Sequence, residues 1–218
     1  LYEATLDTAF ESHTYKHTTM GFFKDVVDMP NQYDYSIEFF NRFYKPENTT
    51  ILVVGDVKPE RVNELANNYF GMWKMGSYKA NIPAEPAQNR TKFVHLSVPK
   101  FPPHLTLSYK AIPFNDSDIE VAALDLLCDV VSSERSPLNI KLVTKEQKLR
   151  DLGAYFNLTR DKNLLQFDAT LVKQEDLQYA KDEIIKAIEA IKVTPVELKF
   201  LNELKSRTKY SFAMRMDS

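Results

Sequence analysis

From residue 92 onward, the apolar residues first follow the spacing of strands and then the spacing of helices, and this order occurs twice. Apolar side chains occupy every second position in four segments, which are residues 93–98, 104–111, 154–159 and 164–171. A pair of helical patterns follows each pair of segments, beginning near Asp118, Ser136, Glu175 and Pro195. This order, ββααββαα, predicts an α+β fold with a mixed or antiparallel sheet and helices packed mainly on one face. It argues against a doubly wound nucleotide-binding fold.

The residues before position 75 have their own pattern. Helical spacing is predicted over residues 1–10, 30–44 and 59–70, and the apolar run 51–54 predicts a strand inside a sheet. Residues 75–91 contain Pro83 and Pro86 and have no periodicity, which is typical of a linker. We therefore expect residues 1–74 to be the end of one αβ repeat (helix-helix-strand-helix), 75–91 to be a linker, and 92–218 to be a second αβ repeat.

Composition excludes several classes of function. The net charge is -2, with lysine and arginine spread along the chain, so neither a nucleic-acid groove nor a polybasic membrane patch is predicted. No apolar run approaches the roughly 20 residues of a membrane span. The single cysteine, Cys128, lies in an apolar run and is expected to be a buried thiol. The chain starts without Met inside a helical pattern, so we expect it to be part of a longer protein.

The segment HTYKH contains the spacing that a helix uses to direct two histidines at one metal. His13 and His17 are two of only four histidines, and no H-E-x-x-H, H-x-x-E-H or C-x-x-C sequence occurs. The surrounding threonines and Gly21 disfavour a helix, and in an extended segment these side chains would lie about 13 Å apart. We therefore predict no metal ligands and no catalytic residues in this chain. His95 is expected to be half-buried on a strand, and His104 to lie in a solvated turn.

Residues 10–57 resemble the signature region of the pitrilysin/insulinase family of zinc metallopeptidases, which includes the mitochondrial processing peptidases. The matching positions are Phe10, His13, Tyr15, Gly21, Tyr44, Pro46, Asn48, Val53, Val54, Gly55 and Asp56. Later in the chain, residues 133–142 resemble the family's serine-rich turn into a helix. Val196, Glu197, Leu198 and Lys205 resemble its Thr-x-x-Glu-Leu…Lys helix. The resemblance covers nearly the whole chain, and it is closest to the region called the inactive, or C-terminal, peptidase domain.

In this family an inverted H-x-x-E-H helix and a later glutamate bind zinc, and both precede the His-x-Tyr turn. The resemblance therefore implies that HTYKH follows the metal site and that the zinc ligands lie before Leu1. It implies a non-catalytic domain that completes a substrate chamber for extended peptides, together with a zinc-bearing half absent from this chain. A degenerate scaffold or protein-interaction domain is the alternative, and a metal-dependent hydrolase using His13 and His17 is a third. For the compartment, family analogy alone points to the cell envelope or periplasm.

The chain departs from the family at one functional segment. Non-zinc halves often carry Leu-Arg-x-x-x-Gly-Leu-x-Tyr, whose Arg and Tyr help to hold the substrate. Here Val143 stands at the Arg position, Gln147 at the Gly position and Arg150 at the Tyr position. No substrate-binding role is carried over, so the substrate-binding residues are unknown, with Tyr155 or Arg150 as open alternatives.

Overall fold

The structure is a computed structural model that describes residues 1–216. The chain forms two compact units, one spanning Leu1–Val94 and a second that begins at His95. Residues 75–91, all of which are described, contain no helix or strand. The division into 1–74, 75–91 and 92–218 stays a prediction.

The first unit is built from helices. They are α1 (Tyr2–Ala9), α2 (Phe23–Asp28), α3 (Tyr33–Phe43) and α4 (Pro59–Phe70), with short 3₁₀ turns at Thr14–Lys16, Met29–Asn31 and Pro46–Asn48. Helix α4 has the predicted bounds because Pro59 occupies its first turn, where a missing N–H costs no hydrogen bond, and Gly71 follows its last residue.

The strand predicted at residues 51–54 is wrong. These residues belong to no helix or sheet, and Leu52 and Val54 are 85% and 86% exposed. A strand needs a neighbouring chain to accept and donate its backbone hydrogen bonds, and within residues 1–216 none pairs with this segment. The prediction identified the apolar character of the segment correctly. No neighbouring strand among the described residues buries it.

The second unit contains a three-stranded antiparallel sheet in the order β1-β3-β2. Its strands are β1 (His104–Lys110), β2 (Leu149–Phe156) and β3 (Leu164–Leu171). The central strand β3 turns Leu165, Phe167, Ala169 and Leu171 to one face, and all four side chains are buried. A bulge between Leu149 and Asp151 shifts the register at the start of β2.

Helices α5 (Ile119–Ser132) and α7 (Leu177–Val193) pack on this apolar face, together with the short α6 (Pro137–Asn139), which continues into a π-helical turn at Ile140–Lys145. Helix α8 (Leu198–Met216) packs against α5. Asp118 caps α5 by accepting the N–H of Glu120, and Ser136 caps α6 by accepting the N–H of Asn139. Within residues 1–216, no helix combines the length and apolar character of a membrane span.

The predicted fold class, α+β with an antiparallel sheet and helices mainly on one face, is confirmed. The strand predicted at 93–98 is wrong, so the observed order is βααββαα. Phe93 is 89% exposed and Val98 57% exposed, because the alternating side chains of this segment have no sheet to pair with. Strand β2 begins five residues before the predicted residue 154, at Leu149. His95 is exposed on this unpaired segment rather than half-buried on a strand.

Candidate functional site

The HTYKH segment forms a capped turn. His13 is 6% exposed, and its Nδ1 accepts the backbone N–H of Tyr15 at 3.1 Å, which caps the 3₁₀ turn Thr14–Lys16. The rings of Phe10 and Tyr15 lie 6.1 Å and 4.3 Å from the His13 ring. Gly21 closes the segment with φ +74°, a conformation that favours glycine. His13 therefore orders a turn.

His17 ends the same turn and is exposed, with its Nδ1 3.1 Å from the Thr18 carbonyl oxygen. No group of three or more His, Cys, Asp or Glu side chains within residues 1–216 could hold a metal ion. Zinc, which the family resemblance implies, therefore does not fit the described residues of this chain.

The face of the sheet opposite the helices is polar. The register places His104, Thr106, Ser108, Lys110, Gln166, Asp168 and Thr170 on this face. His104 donates or accepts at both ring nitrogens, with Nδ1 3.3 Å from Thr170 Oγ1 and Nε2 3.3 Å from Asp168 Oδ1. The expectation of a solvated turn at His104 is therefore wrong, because these two partners on β3 hold its ring against the sheet.

The hydrogen bonds continue across all three strands. Thr106 donates to Asp168, and Thr170 donates to Asp151 at the start of β2. Further along the same face, Ser108 and Gln166 are cross-strand neighbours. Ser108 Oγ and Gln166 Oε1 are buried and have no hydrogen-bond partner among the described residues. This polar face therefore combines an ordered network with two oxygens that can still accept a hydrogen bond.

The residues at the family's substrate-binding positions are now placed. Gln147 has φ +52°, so it adopts the left-handed backbone that a glycine would favour. Val143 is half-buried in the π-helical turn, and Arg150 is the exposed residue of the bulge in β2. Tyr155 pairs with Gln166 and is 40% exposed, so it lies on the polar face of the sheet. Of the two alternatives, the register assigns Tyr155 to this face.

The first unit presents a second candidate surface. Ile51, Val53 and Val57 border a groove of about 490 Å³ whose other wall is α4, including Val62 and Leu65. The walls are mainly apolar, and the neighbouring Leu52 and Val54 are almost fully exposed. Contiguous apolar surface of this kind marks an interaction site.

Sequence reasoning missed two of these features. The His104 and Asp168 contact needed the register of β1 against β3, which strand prediction alone does not supply. The two buried oxygens of Ser108 and Gln166 depend on the same register. A signal for the pairing was nevertheless present, since polar residues alternate with apolar ones in both strands.

Comparison with known proteins gives consistent matches. The profile of the family described as peptidase M16 inactive domain matches residues 32–207. The zinc protease PqqE of Helicobacter pylori is similar, with 31% identity over 231 residues that cover 100% of this chain and 49% of the relative.

Two solved structures are also similar. A protease from Helicobacter pylori has a TM-score of 0.85 and 27% identity, covering 100% of this chain and 53% of that chain. The peptidase M16 inactive domain from Pseudomonas fluorescens has a TM-score of 0.70 and 18% identity, covering 95% and 49%. The chain spans about half the length of these relatives.

Proposed function

This chain belongs to the M16, or pitrilysin/insulinase, peptidase family as an inactive domain, and from this premise we propose that it completes a substrate chamber. The zinc-bearing half that supplies the catalysis lies outside this chain, in the same polypeptide or in a separate subunit. The described residues offer no set of zinc ligands, so every step at the metal is assigned to that half. The observation that carries the proposal is the unpaired apolar segment 51–54.

Segment 51–54 and α4 form the surface on which the zinc-bearing half docks. The segment pairs with no strand among residues 1–216, so its backbone N–H and C=O groups are available to pair with a strand of the other half. Leu52 and Val54 are 85% and 86% exposed, and burying each contributes about 1.5–3 kcal/mol. The length of the relatives, about twice that of this chain, is consistent with a partner of similar size.

The polar face of the sheet in the second unit suits contact with peptides. The hydroxyl of Thr106 and the carboxylate of Asp168 are partly exposed and can bond to main-chain groups, which all peptides share, so this face tolerates different side chains. Tyr155 lies on this face and is partly exposed, which makes it the residue of this chain that we propose contacts substrate. Its aromatic ring supplies contact area.

Docking is tested with one charged substitution and a matched control. Leu52→Asp introduces a carboxylate into the proposed interface, and Val193→Asp introduces the same charge at a position that is 83% exposed in the second unit. The affinity of each variant for the zinc-bearing half is measured by sedimentation or calorimetry. Leu52→Asp should weaken binding by about tenfold or more, since burying an unpaired charge costs well over 1.4 kcal/mol.

Val193→Asp should bind like the unchanged chain. Equal affinity for all three proteins would contradict docking through segment 51–54.

A scaffold without any peptidase role is the second candidate, and Val143, Gln147 and Arg150 at the family's substrate-binding positions favour it. That candidate also predicts docking, so it is distinguished by peptide hydrolysis rather than by affinity.

A further inference from the structure

A carboxylate of the linker is bound by a turn more than 70 residues earlier in the chain. Glu85 Oε1 accepts the N–H of Glu11 at 2.9 Å, and Glu85 Oε2 accepts the N–H groups of Ser12 and His13, each at 3.0 Å. These three consecutive N–H groups follow the end of α1, and together they form a concave site for an anion. One side chain therefore satisfies three backbone donors, which we call the Glu85 clasp.

The residues around Glu85 favour this contact. Pro83 and Pro86 flank it, and each proline fixes its own φ and limits the conformation of the residue before it. The linker therefore loses less conformational entropy when it presents Glu85 than a flexible segment would lose.

Two further contacts join the linker region to other residues of the first unit. Near the beginning of the linker, Gly76 N–H donates to Glu47 Oε1 at 2.8 Å. Just after its end, Lys92 Nζ lies 2.6 Å from Glu11 Oε1, and the Lys92 side chain is 21% exposed. The hydrogen bond and charge of Lys92 lower the pKa of Glu11, although the nearby Glu85 acts in the opposite direction. Lys92 thereby offsets the repulsion between the two carboxylates.

The residues after Lys92 have a different character. Residues 93–101 are exposed and form no helix or strand, and β1 begins at His104. Lys100 has φ +65°, in the left-handed region that favours glycine. The segment therefore contains a backbone conformation that a lysine adopts only at a cost, close to Pro102 and Pro103.

From these contacts we propose that residues 75–92 are a strap held on the first unit by the Glu85 clasp. Residues 93–103 are then the flexible connection between the two units. The connection between the units is then about 11 residues long, and releasing the whole strap, including its contacts at Gly76 and Lys92, extends it to about 29. Because the effective concentration of two linked bodies falls roughly as the −3/2 power of linker length, release lowers it about fourfold. The clasp thus sets how tightly the two units are coupled, whether or not the chamber proposal is correct.

The test uses the whole chain with Glu85→Ala and, as a control, Glu38→Ala. Glu38 is an exposed glutamate of α3 in the same unit. Hydrogen exchange reports on the amides of residues 11–13, and limited trypsin digestion reports on the linker through Lys79, Arg90 and Lys100. In the unchanged chain and in Glu38→Ala, trypsin should cleave first after Lys100.

In Glu85→Ala, the amides of residues 11–13 should exchange about tenfold faster or more, and cleavage after Lys79 and Arg90 should rise to the rate at Lys100. Glu85→Gln, which keeps one acceptor oxygen without the charge, should give an intermediate result, and it serves if the alanine variant folds poorly. Two results would overturn the strap. One is cleavage of the unchanged chain after Lys79 or Arg90 as fast as after Lys100. The other is unchanged exchange at residues 11–13 in both variants.

Discussion

Removing the ring of Phe167 should remove a large part of the stability of the second unit. Phe167 is fully buried at the centre of β3, and the ring of Tyr109 meets it edge-on at a centroid distance of 6.1 Å. A buried Phe→Ala substitution costs about 3–5 kcal/mol, because apolar contacts are lost and a cavity remains. With no exposure to relieve the cavity, we expect about 4 kcal/mol for Phe167→Ala, against a typical domain stability of about 5–15 kcal/mol.

The matched control is Phe93→Ala. Phe93 is 89% exposed on the segment that the sequence pattern assigned to a strand, so its substitution should change the free energy of unfolding by less than about 0.5 kcal/mol. Urea unfolding is followed by far-UV circular dichroism. With a slope of about 2 kcal/mol per molar urea, Phe167→Ala should lower the midpoint by about 2 M, while Phe93→Ala leaves it almost unchanged.

Two results would refute the reasoning. A cost of several kcal/mol for Phe93→Ala would mean that residues 93–98 pack into the core, as the alternating pattern suggested. A cost below about 1 kcal/mol for Phe167→Ala would mean that β3 is not the centre of the core. Phe167→Leu, which keeps most of the volume, should lose less stability than Phe167→Ala and keeps the comparison measurable if the alanine variant is unfolded.

Two further predictions concern titratable groups. Lys141 donates a hydrogen bond to Glu183 and lowers the pKa of Glu183 below its ordinary 4.5. This contact therefore stabilises the folded state above pH 4.5, and the stabilisation is lost as the pH falls through the lowered pKa. Glu183→Gln should therefore lower the urea midpoint near neutral pH, and the difference in midpoint from the unchanged chain should shrink below pH 4.5. A difference in midpoint that stays constant down to strongly acidic pH would contradict this. Cys128 is 5% exposed and burial raises its pKa to about 12, so a thiol reagent should label it at the rate of unfolding. Labelling much faster than unfolding would show that α5 is not packed as described.

Local signals predicted the helices of the structure except the short α2 (Phe23–Asp28). Pro59 and Gly71 bound α4, and Asp118 caps α5 one residue before it starts. Each signal acts through hydrogen bonds or steric limits within a few residues, so it does not depend on the rest of the protein. The central strand β3 was also predicted, because its apolar and polar residues alternate from Leu165 to Leu171.

Strands 51–54 and 93–98 were predicted wrongly for one physical reason. Apolar residues and alternation indicate that a segment can lie in a sheet, but the strand forms only where a neighbour completes its hydrogen bonds. Leu52 and Phe93 are instead exposed. The error at segment 51–54 is informative, because this is the segment that we propose pairs with the zinc-bearing half.

The candidate site was less accessible to sequence reasoning than the fold. The absence of a zinc motif and the family resemblance could be read from residues close together in the sequence. The contact of His104 with Asp168 joins positions 64 residues apart, and that of Glu85 with His13 joins positions 72 apart. Pro83 and Pro86 beside Glu85 indicated a rigid segment, but nothing local identified the three N–H groups that donate to its carboxylate.

Hydrolysis of a mixed peptide library tests the non-catalytic role most directly. The library is incubated with this chain alone, with the H-x-x-E-H half alone, and with both together, and the zinc content of each tag-free protein is measured. We predict no hydrolysis and no stoichiometric zinc for this chain alone, and hydrolysis by the two halves together that a chelator abolishes. Hydrolysis by this chain alone that persists through chelation controls would contradict the account. Failure of the zinc-loaded, reunited halves to cleave any peptide would instead favour the scaffold.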